Sequence, residues 1–188
     1  MSQAKCLTAT EIEQVLAYVA TRRFALRNRV MFLTSTLCGM RVGEIASLKI
    51  GDVLNADGVV KDFVHLTVAQ TKGRHPRTVL LPQKLQAEIQ RYMDIRRVSD
   101  FSHPLFVTAG GKAFSANVMA QHFFWQYRKC GIVGASSHSG RRSFLTTLAN
   151  KGISIHILAS LAGHRSVNVT MKYLTANDEM KRNAVNLI

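Results

Sequence analysis

The segment from Leu161 to Tyr173 reads LAGHRSVNVTMKY and carries the most specific pattern in the chain. An apolar helical stretch ends near Gly163, His164 follows it directly, and Tyr173 stands nine residues after the histidine. Each residue alone has an ordinary explanation, because a lone histidine is more often packed in a core and a tyrosine beside a leucine is more often half-buried. The segment is therefore informative only in combination with the rest of the chain.

Three further fragments precede this segment, and each contributes basic or imidazole side chains. They are CGMRVGE at 38–44, TKGRHPR at 71–77 and HSGR at 138–141. The second fragment lies between two stretches rich in Val, Leu and Thr, 63–69 and 78–81. This arrangement predicts a β-hairpin with a cationic tip.

Helical periodicity accounts for most of the remaining chain. Thr8 and Glu11 form a predicted capping box, which opens a helix that runs to about Val19, and Pro82 begins another helix. Further helices are predicted at 41–48, 115–129, 139–151, 153–162 and 166–174. The sequence therefore predicts an α+β fold, mainly helical, with a small antiparallel sheet near the middle.

The aromatic residues between 123 and 127 fall within one of these predicted helices. We expect the helix to pack into the core through Phe123, Phe124, Trp125 and Tyr127. Tyr127 and Arg128 have an alternative interpretation as contacts to a bound partner.

The chain is strongly basic, with 25 Lys and Arg against 11 Asp and Glu in 188 residues and a net charge of +14. No acidic residue occurs between Phe101 and Asn177. A globular surface normally mixes both signs of charge, so this stretch predicts an extended contact with a polyanion, nucleic acid first. The 47% hydrophobic content argues against a disordered basic tail.

Several classes of protein are disfavoured by what the sequence lacks. It contains neither an uninterrupted apolar stretch of membrane-spanning length nor an apolar signal core near Met1. Cys6, Cys38 and Cys130 form no disulfide framework, which favours a cytoplasmic location. No metal-ligand spacing or carboxylate cluster is present, and the Gly110-Gly111-Lys112 turn is too short for a phosphate-binding loop, so we expect no metal or other cofactor.

In their order along the chain, the four fragments resemble the catalytic signature of the tyrosine recombinase (phage integrase) family. That signature is an arginine, a hairpin lysine, His-x-x-Arg, a histidine or tryptophan, and a tyrosine. The resemblance extends from Leu7 to the C-terminus. It implies the helical catalytic domain of that family and site-specific DNA recombination, in which a tyrosine forms a 3′-phosphotyrosine intermediate without metal or ATP.

The resemblance also assigns a role to each matching residue. The implied catalytic set is Arg41, Lys72, His138, Arg141, His164 and Tyr173. Arginine supplies forked donors that match phosphate oxygens, and histidine can donate hydrogen bonds or assist proton transfer. Tyr173 would be the nucleophile, Lys72 would protonate the departing 5′-oxygen, and Glu44 would orient the Arg41 guanidinium one helical turn away.

Contacts to double-stranded DNA are expected from a second group of basic residues. This group consists of Arg74, Arg77, Arg142, Arg165 and Lys172. Arg142, Lys172 and the small residue Gly140 depart from the common family pattern at their positions. None of the three departures removes a catalytic group, so we expect activity.

Most family members carry a separate helical domain before the catalytic one. We expect residues 1–188 to form a single catalytic domain without it, as in the fimbrial-switch invertases, although an excised piece of a longer integrase is the alternative. Such a domain grips one face of DNA, so we expect a homo-multimer, a tetramer on two paired sites, with an accessory DNA-bending protein as a further partner. The tail at 177–188 would dock on a neighbouring protomer, or alternatively on its own domain.

Two other functions remain open at the level of sequence. A type IB topoisomerase-like nicking and closing enzyme would use the same chemistry without a partner site. A non-catalytic DNA-binding regulator could keep the fold, but it would not need to keep a tyrosine nucleophile.

Overall fold

The described part of the chain folds mainly into helices with one short antiparallel hairpin, as the sequence predicts. The computed structural model describes residues 4–71, 75–98, 100–173, 182, 185 and 186. Its helices are α1 (Ala9–Ala20), α2 (Ala25–Cys38), α3 (Val42–Ser47), α4 (Ile50–Val53), α5 (Gln83–Arg96), α6 (Ala116–Lys129), α7 (Ser139–Asn150), α8 (Ile155–Ala162) and α9 (Val167–Met171). Strands β1 (Phe63–Leu66) and β2 (Arg77–Leu80) pair antiparallel, with Val64 opposite Val79.

Local capping signals fix where several helices begin. The predicted box at α1 is confirmed, since the Thr8 hydroxyl accepts the Glu11 N–H at 3.2 Å and the Glu11 carboxylate accepts the Thr8 N–H at 3.0 Å. Serine hydroxyls cap α8 and α9 through Ser154 and Ser166. These caps set the starts of the two short helices that flank His164.

The hairpin is confirmed but is shorter than predicted. Side chains alternate along β1, where Val64 and Leu66 are buried and Phe63 is partly exposed. Residues after Leu66 leave the ladder and form a 3-10 turn at Val68–Gln70. The tip residues Lys72 and Arg74 lie outside the described residues.

Helix α2 lies in the core and packs directly against α7. Met31, Phe32 and Leu33 are buried on α2, which packs against α5 and α7. At the contact with α7, a Cβ atom added to Gly140 would lie 2.4 Å from the Ser35 Oγ. Gly140 therefore departs from the bulkier family pattern because this helix crossing leaves no room for a side chain.

The prediction that all four aromatic residues of α6 pack inward is wrong for two of them. Phe123 and Tyr127, one helical turn apart, are buried. Phe124 is 38% exposed and Trp125 is 53% exposed, because a 3.6-residue period turns adjacent positions away from the buried face. Arg128 lies over the Trp125 ring at 5.9 Å, whereas burial removes Tyr127 from any DNA contact.

Candidate active site

Arg41 is held at the start of α3 by the side chain of Glu44. The chain turns out of α2 at Gly39, which has a left-handed φ of +60°, and Arg41 then caps α3 in extended conformation. Glu44 Oε2 accepts the Arg41 backbone N–H at 2.8 Å, and Oε1 accepts from the guanidinium at 3.0 Å. The Arg41 side chain remains 27% exposed, so this guanidinium is both oriented and accessible.

Arg77 is predicted to stand at the hairpin tip, but its side chain is buried. Its guanidinium donates to both oxygens of Glu44, from Nε at 3.2 Å and from one terminal nitrogen at 2.7 Å. The other terminal nitrogen donates to the Leu161 carbonyl at 2.8 Å, and only 9% of the side chain is exposed. Arg77 is the first residue of β2 and lies in a buried ion pair, while its phosphate contact stays a prediction.

The buried acid between these two arginines remains ionised. Burial by itself raises the pKa of Glu44, but the hydrogen bonds and charges of Arg77 and Arg41 outweigh that effect and hold the pKa below its ordinary value. The sequence interpretation of Glu44 as an orienting residue agrees with this geometry.

Arg141 links the ends of two helices to an imidazole. From the first turn of α7, its guanidinium donates to the carbonyl of Gly39 at 2.6 Å and to that of Ala162 at 2.7 Å. These oxygens lie at the C-terminal ends of α2 and α8, where helix carbonyls lack partners within the helix. Burial, together with the charges of Arg41 and Arg77, lowers the pKa of Arg141 to about 10, so it stays a cation at neutral pH.

His164 lies between Arg141 and helix α9. Its Nε2 is 2.9 Å from an Arg141 terminal nitrogen, and its Nδ1 is 2.9 Å from the hydroxyl of Thr170. Burial lowers the pKa of His164 to about 4, with further lowering from Arg141, Arg41 and Arg77. The imidazole is therefore neutral near pH 7.

Tyr173 follows α9 and stacks against this imidazole. The two ring centroids are 6.0 Å apart with 16° between the ring planes, and the Tyr173 N–H donates to the Thr170 carbonyl at 2.9 Å. Tyr173 also opens onto a cavity of about 220 Å³. The cavity is lined by Ala4, His138, Arg141, Arg142, Lys172 and Tyr173. Four predicted cationic or imidazole residues thus share one cavity with the predicted nucleophile.

A second cavity, of about 240 Å³, is lined by His164, whose imidazole contacts Arg141 of the first cavity. Its lining residues are Arg41, Thr71, His75, Pro76, Arg77, Gly163, His164 and Arg165. The structure therefore brings together five predicted catalytic residues at these two cavities. They are Arg41, His138, Arg141, His164 and Tyr173.

Besides Arg77, three of the residues predicted to contact DNA line these two cavities. Arg165 and Lys172 are exposed. The Nε atom of Arg142 is buried without a hydrogen-bond partner among the residues that the structure describes. A buried donor without a partner is uncommon in folded proteins.

Thr170 is a site residue that sequence reasoning missed. It is fully buried and contacts both His164 and the backbone of Tyr173. The available signal was a hydroxyl placed one helical turn before the tyrosine, which by itself is indistinguishable from an ordinary helix residue.

The part of the chain that the structure describes contains no group of three or more His, Cys, Asp or Glu residues placed to hold a metal ion. None of the helices within it could span a membrane.

The phage integrase family model matches residues 5–180, and the chain belongs to that family of tyrosine recombinases. The tyrosine recombinase XerA of Pyrococcus furiosus is 32% identical over 96% of this chain and 60% of the relative. The chain thus spans about 60% of the length of this curated relative.

Solved structures share the fold at lower identity. A XerA recombinase crystal structure superposes with a TM-score of 0.77 at 22% identity, over 100% of this chain and 66% of the other. The Tn1549 transposon integrase in complex with transposon right-end DNA gives a TM-score of 0.75 at 17% identity, over 100% and 67% of the two chains.

Proposed function

We propose that this chain is a site-specific DNA recombinase that cleaves and rejoins DNA through a 3′-phosphotyrosine intermediate, without metal or ATP. The observation that carries the proposal is the stacking of Tyr173 on His164, which contacts the buried Arg141 beside a cavity lined by further cations. Membership of the tyrosine recombinase family supports the same conclusion.

In the proposed reaction, the Tyr173 oxygen attacks the scissile phosphorus. The new bond joins tyrosine to the 3′-phosphate, and the bond from phosphorus to the 5′-oxygen breaks. Arg41 and Arg141 neutralise charge that develops on the non-bridging oxygens. Arginine has five N–H donors, and Arg141 uses three in the contacts described above, so two remain for phosphate.

Two proton transfers accompany this step. His138 lines the same cavity as Tyr173, and we assign it to take the tyrosine proton. Both nitrogens of His164 are engaged, by Arg141 and by Thr170, so His164 is assigned to positioning instead. Lys72 gives a proton to the departing 5′-oxygen, and the 5′-hydroxyl of the partner strand then reverses these transfers when it attacks the phosphotyrosine.

Binding and assembly follow from the same arrangement. Arg142, Arg165 and Lys172, with Arg74 on the hairpin, would contact the phosphates that flank the scissile one. The shared fold of the DNA-bound Tn1549 integrase supports duplex DNA as the substrate. Strand exchange between two sites requires four chains, so we propose a homotetramer on paired sites, with an accessory DNA-bending protein as a further partner.

Adduct formation tests the proposal even though the target site is unknown. Random duplexes are first selected for binding to the Tyr173→Phe variant, and the recovered sequence is rebuilt with a nick beside the cleavage position. Wild-type protein should form a covalent adduct, visible on a denaturing gel with or without EDTA, while Tyr173→Phe binds equally and forms none. An adduct with Tyr173→Phe would remove Tyr173 as the nucleophile, and loss of the adduct in EDTA would indicate a metal mechanism.

The role of Lys72 is separable from that of the arginines. A bridging 5′-sulfur leaves as a thiolate and needs little protonation, so Lys72→Ala should fail on ordinary DNA and recover on 5′-thio DNA. Arg141→Ala should fail on both substrates. An equal loss for Lys72→Ala on both would assign the proton transfer to another group.

Plasmids distinguish recombination from simple nicking and closing. A supercoiled plasmid with two selected sites should give exchanged products, and one with a single site should give little relaxation. Relaxation without any site would favour the topoisomerase-like alternative, and binding without an adduct would favour a regulator.

A further inference from the structure

We propose that Thr170 is a positioning residue, whose hydroxyl holds the His164 proton on Nδ1 and so keeps Nε2 available to accept from Arg141. Its effect on DNA cleavage rests on the proposed function, whereas the tautomer it sets does not.

The direction of each hydrogen bond follows from the chemistry of arginine. The guanidinium of Arg141 has donors only, so the His164 Nε2 that lies 2.9 Å away must be the unprotonated acceptor. In a neutral imidazole the proton then sits on Nδ1. Nδ1 is 2.9 Å from Thr170 Oγ1, and the hydroxyl oxygen accepts this hydrogen bond.

The opposite tautomer would be unfavourable at both ends of the ring. A proton on Nε2 would face the donors of Arg141, and Nδ1 would then need a donor from Thr170. Protonation of both nitrogens is disfavoured by burial of the ring, which lowers the pKa of His164, and further by the positive charges of Arg141, Arg41 and Arg77. Among the residues that the structure describes, the Thr170 hydroxyl is the acceptor that Nδ1 contacts.

Burial of Thr170 favours a direct hydrogen bond between its hydroxyl and His164. Thr170 is 0% exposed, so water does not replace its hydroxyl if that group is removed. The hydrogen bond is partly buried, so the Nδ1–H donor keeps part of its desolvation penalty when it loses this acceptor. The His164 ring would then relax away from Arg141 or change tautomer.

Thr170 also connects the imidazole to the nucleophile. Its carbonyl accepts the Tyr173 N–H at 2.9 Å, and the Tyr173 ring stacks on His164. Thr170 therefore holds His164 through its side chain and the backbone N–H of Tyr173 through its carbonyl. A side-chain substitution disturbs the first link and leaves the second in place.

Nitrogen NMR of the free protein tests the tautomer directly. With ¹⁵N-labelled histidine at pH 7, the wild-type His164 ring should show one protonated and one unprotonated nitrogen, with the proton on Nδ1. Thr170→Val keeps the volume and removes the acceptor, so it should reduce this tautomer, while Thr170→Ser should preserve it. A wild-type proton on Nε2, or an unchanged ring in Thr170→Val, would overturn the proposal.

Rates of adduct formation on the selected nicked duplex test the effect on the reaction. One hydrogen bond contributes about 1 kcal/mol, so Thr170→Val should slow cleavage by roughly 3- to 10-fold and Thr170→Ser by about 2-fold or less. DNA binding should be unchanged in both variants. If Thr170→Ser slows cleavage as much as Thr170→Val does, retaining the hydroxyl gives no benefit, and the positioning role is rejected.

A double-mutant cycle separates positioning from general damage to α9. His164→Phe retains a ring but has no nitrogen to orient, so adding Thr170→Val to it should change the rate by less than about 2-fold. A further loss as large as in the wild-type background would show that Thr170 acts independently of His164. If wild-type protein forms no adduct, the proposed function fails, and the NMR result still decides the tautomer.

Discussion

Glu44 shows how one carboxylate can organise two cations with different exposure. Arg41 is partly exposed and Arg77 is enclosed, yet both donate to the same pair of oxygens. Removing one member of a buried ion pair leaves the other charge uncompensated. The contribution of the buried Arg77–Glu44 pair to stability can therefore be tested by substitution.

Arg77→Gln should lower the free energy of unfolding by about 3–5 kcal/mol, because Glu44 would keep its burial and lose its closest partner. Urea denaturation followed by circular dichroism measures the change. Arg91→Gln is the matched control, since Arg91 pairs with Glu88 at 3.7 Å and its side chain is 66% exposed. That loss should stay below about 1 kcal/mol, and an equal loss for both variants would contradict a special role for the buried pair.

His164 predicts a loss of stability in mild acid. Its pKa is lowered from 6.5 to about 4 in the folded protein, so the unfolded chain binds the proton first as the pH falls. Stability must therefore decline from about pH 6.5 toward pH 4. His122, whose pKa burial also lowers to about 4, adds to the same decline.

Denaturation at a series of pH values checks this expectation. His164→Phe should flatten the decline between pH 6.5 and pH 4, and His122→Phe should flatten it independently. His156→Phe controls for loss of an exposed imidazole. The expectation fails if the decline is the same in His164→Phe as in wild type.

Sequence alone could predict which residues form the candidate site better than it could predict their hydrogen-bond and ion-pair partners. The ordered motifs identify Arg41, Arg141, His164 and Tyr173, which the structure brings together. The burial of Arg77 could not be predicted, because its partners lie 33 and 84 positions away in the chain. The contacts of Thr170 likewise depend on how α9 folds back on the preceding turn.

At the scale of elements, the crossing of α2 and α7 controls where Arg141 stands. Gly140 immediately precedes Arg141, and a Cβ atom at position 140 would lie 2.4 Å from the Ser35 Oγ on α2. Gly140→Ala should destabilise the fold by about 1–3 kcal/mol and slow adduct formation, because the helices must separate. Urea denaturation by circular dichroism measures the first effect, and the nicked-duplex assay measures the second.

Two companion variants sharpen this test. Ser35→Gly opens space opposite residue 140, so it should restore part of the stability lost in Gly140→Ala. Gly110→Ala serves as the control, since its new Cβ would meet nothing within 4 Å. Equal destabilisation by Gly110→Ala and Gly140→Ala would argue against the helix crossing as the cause.

Elements with strong local signals could be predicted from the sequence, and the others could not. The capping box of α1 and the helix predicted to begin at Pro82 give correct helices, and Leu85 and Ile89 are buried on α5. Helix α4 is missed because its four residues, Ile50–Val53, are too few to establish a period. The outward turn of Trp125 depends on which face of α6 meets α1 and α3, a tertiary property.

At the scale of the whole molecule, the net charge of +14 and the acid-free stretch between Phe101 and Asn177 predict a steep salt dependence of DNA binding. The logarithm of affinity should fall with the logarithm of salt concentration by about 0.9 for each phosphate neutralised. Arg165→Ala should reduce that slope by about one, because its exposed side chain would contact a phosphate.

Fluorescence anisotropy on the selected duplex, at salt concentrations from low to physiological, gives the slope. Arg91→Ala controls for loss of an exposed arginine outside the proposed interface. A shallow slope for wild type would argue against extended phosphate contact. An unchanged slope in Arg165→Ala would place that residue away from the DNA.

Trp125 is the one tryptophan in the sequence, and it stands half-exposed on α6 beneath Arg128. Its emission in the native protein will already be that of an indole in contact with solvent. Fluorescence will consequently give a small signal for global unfolding and a sensitive one for events at this surface, such as approach of another chain or a bound duplex. The molecule thus carries an intrinsic optical reporter of this surface that requires no label.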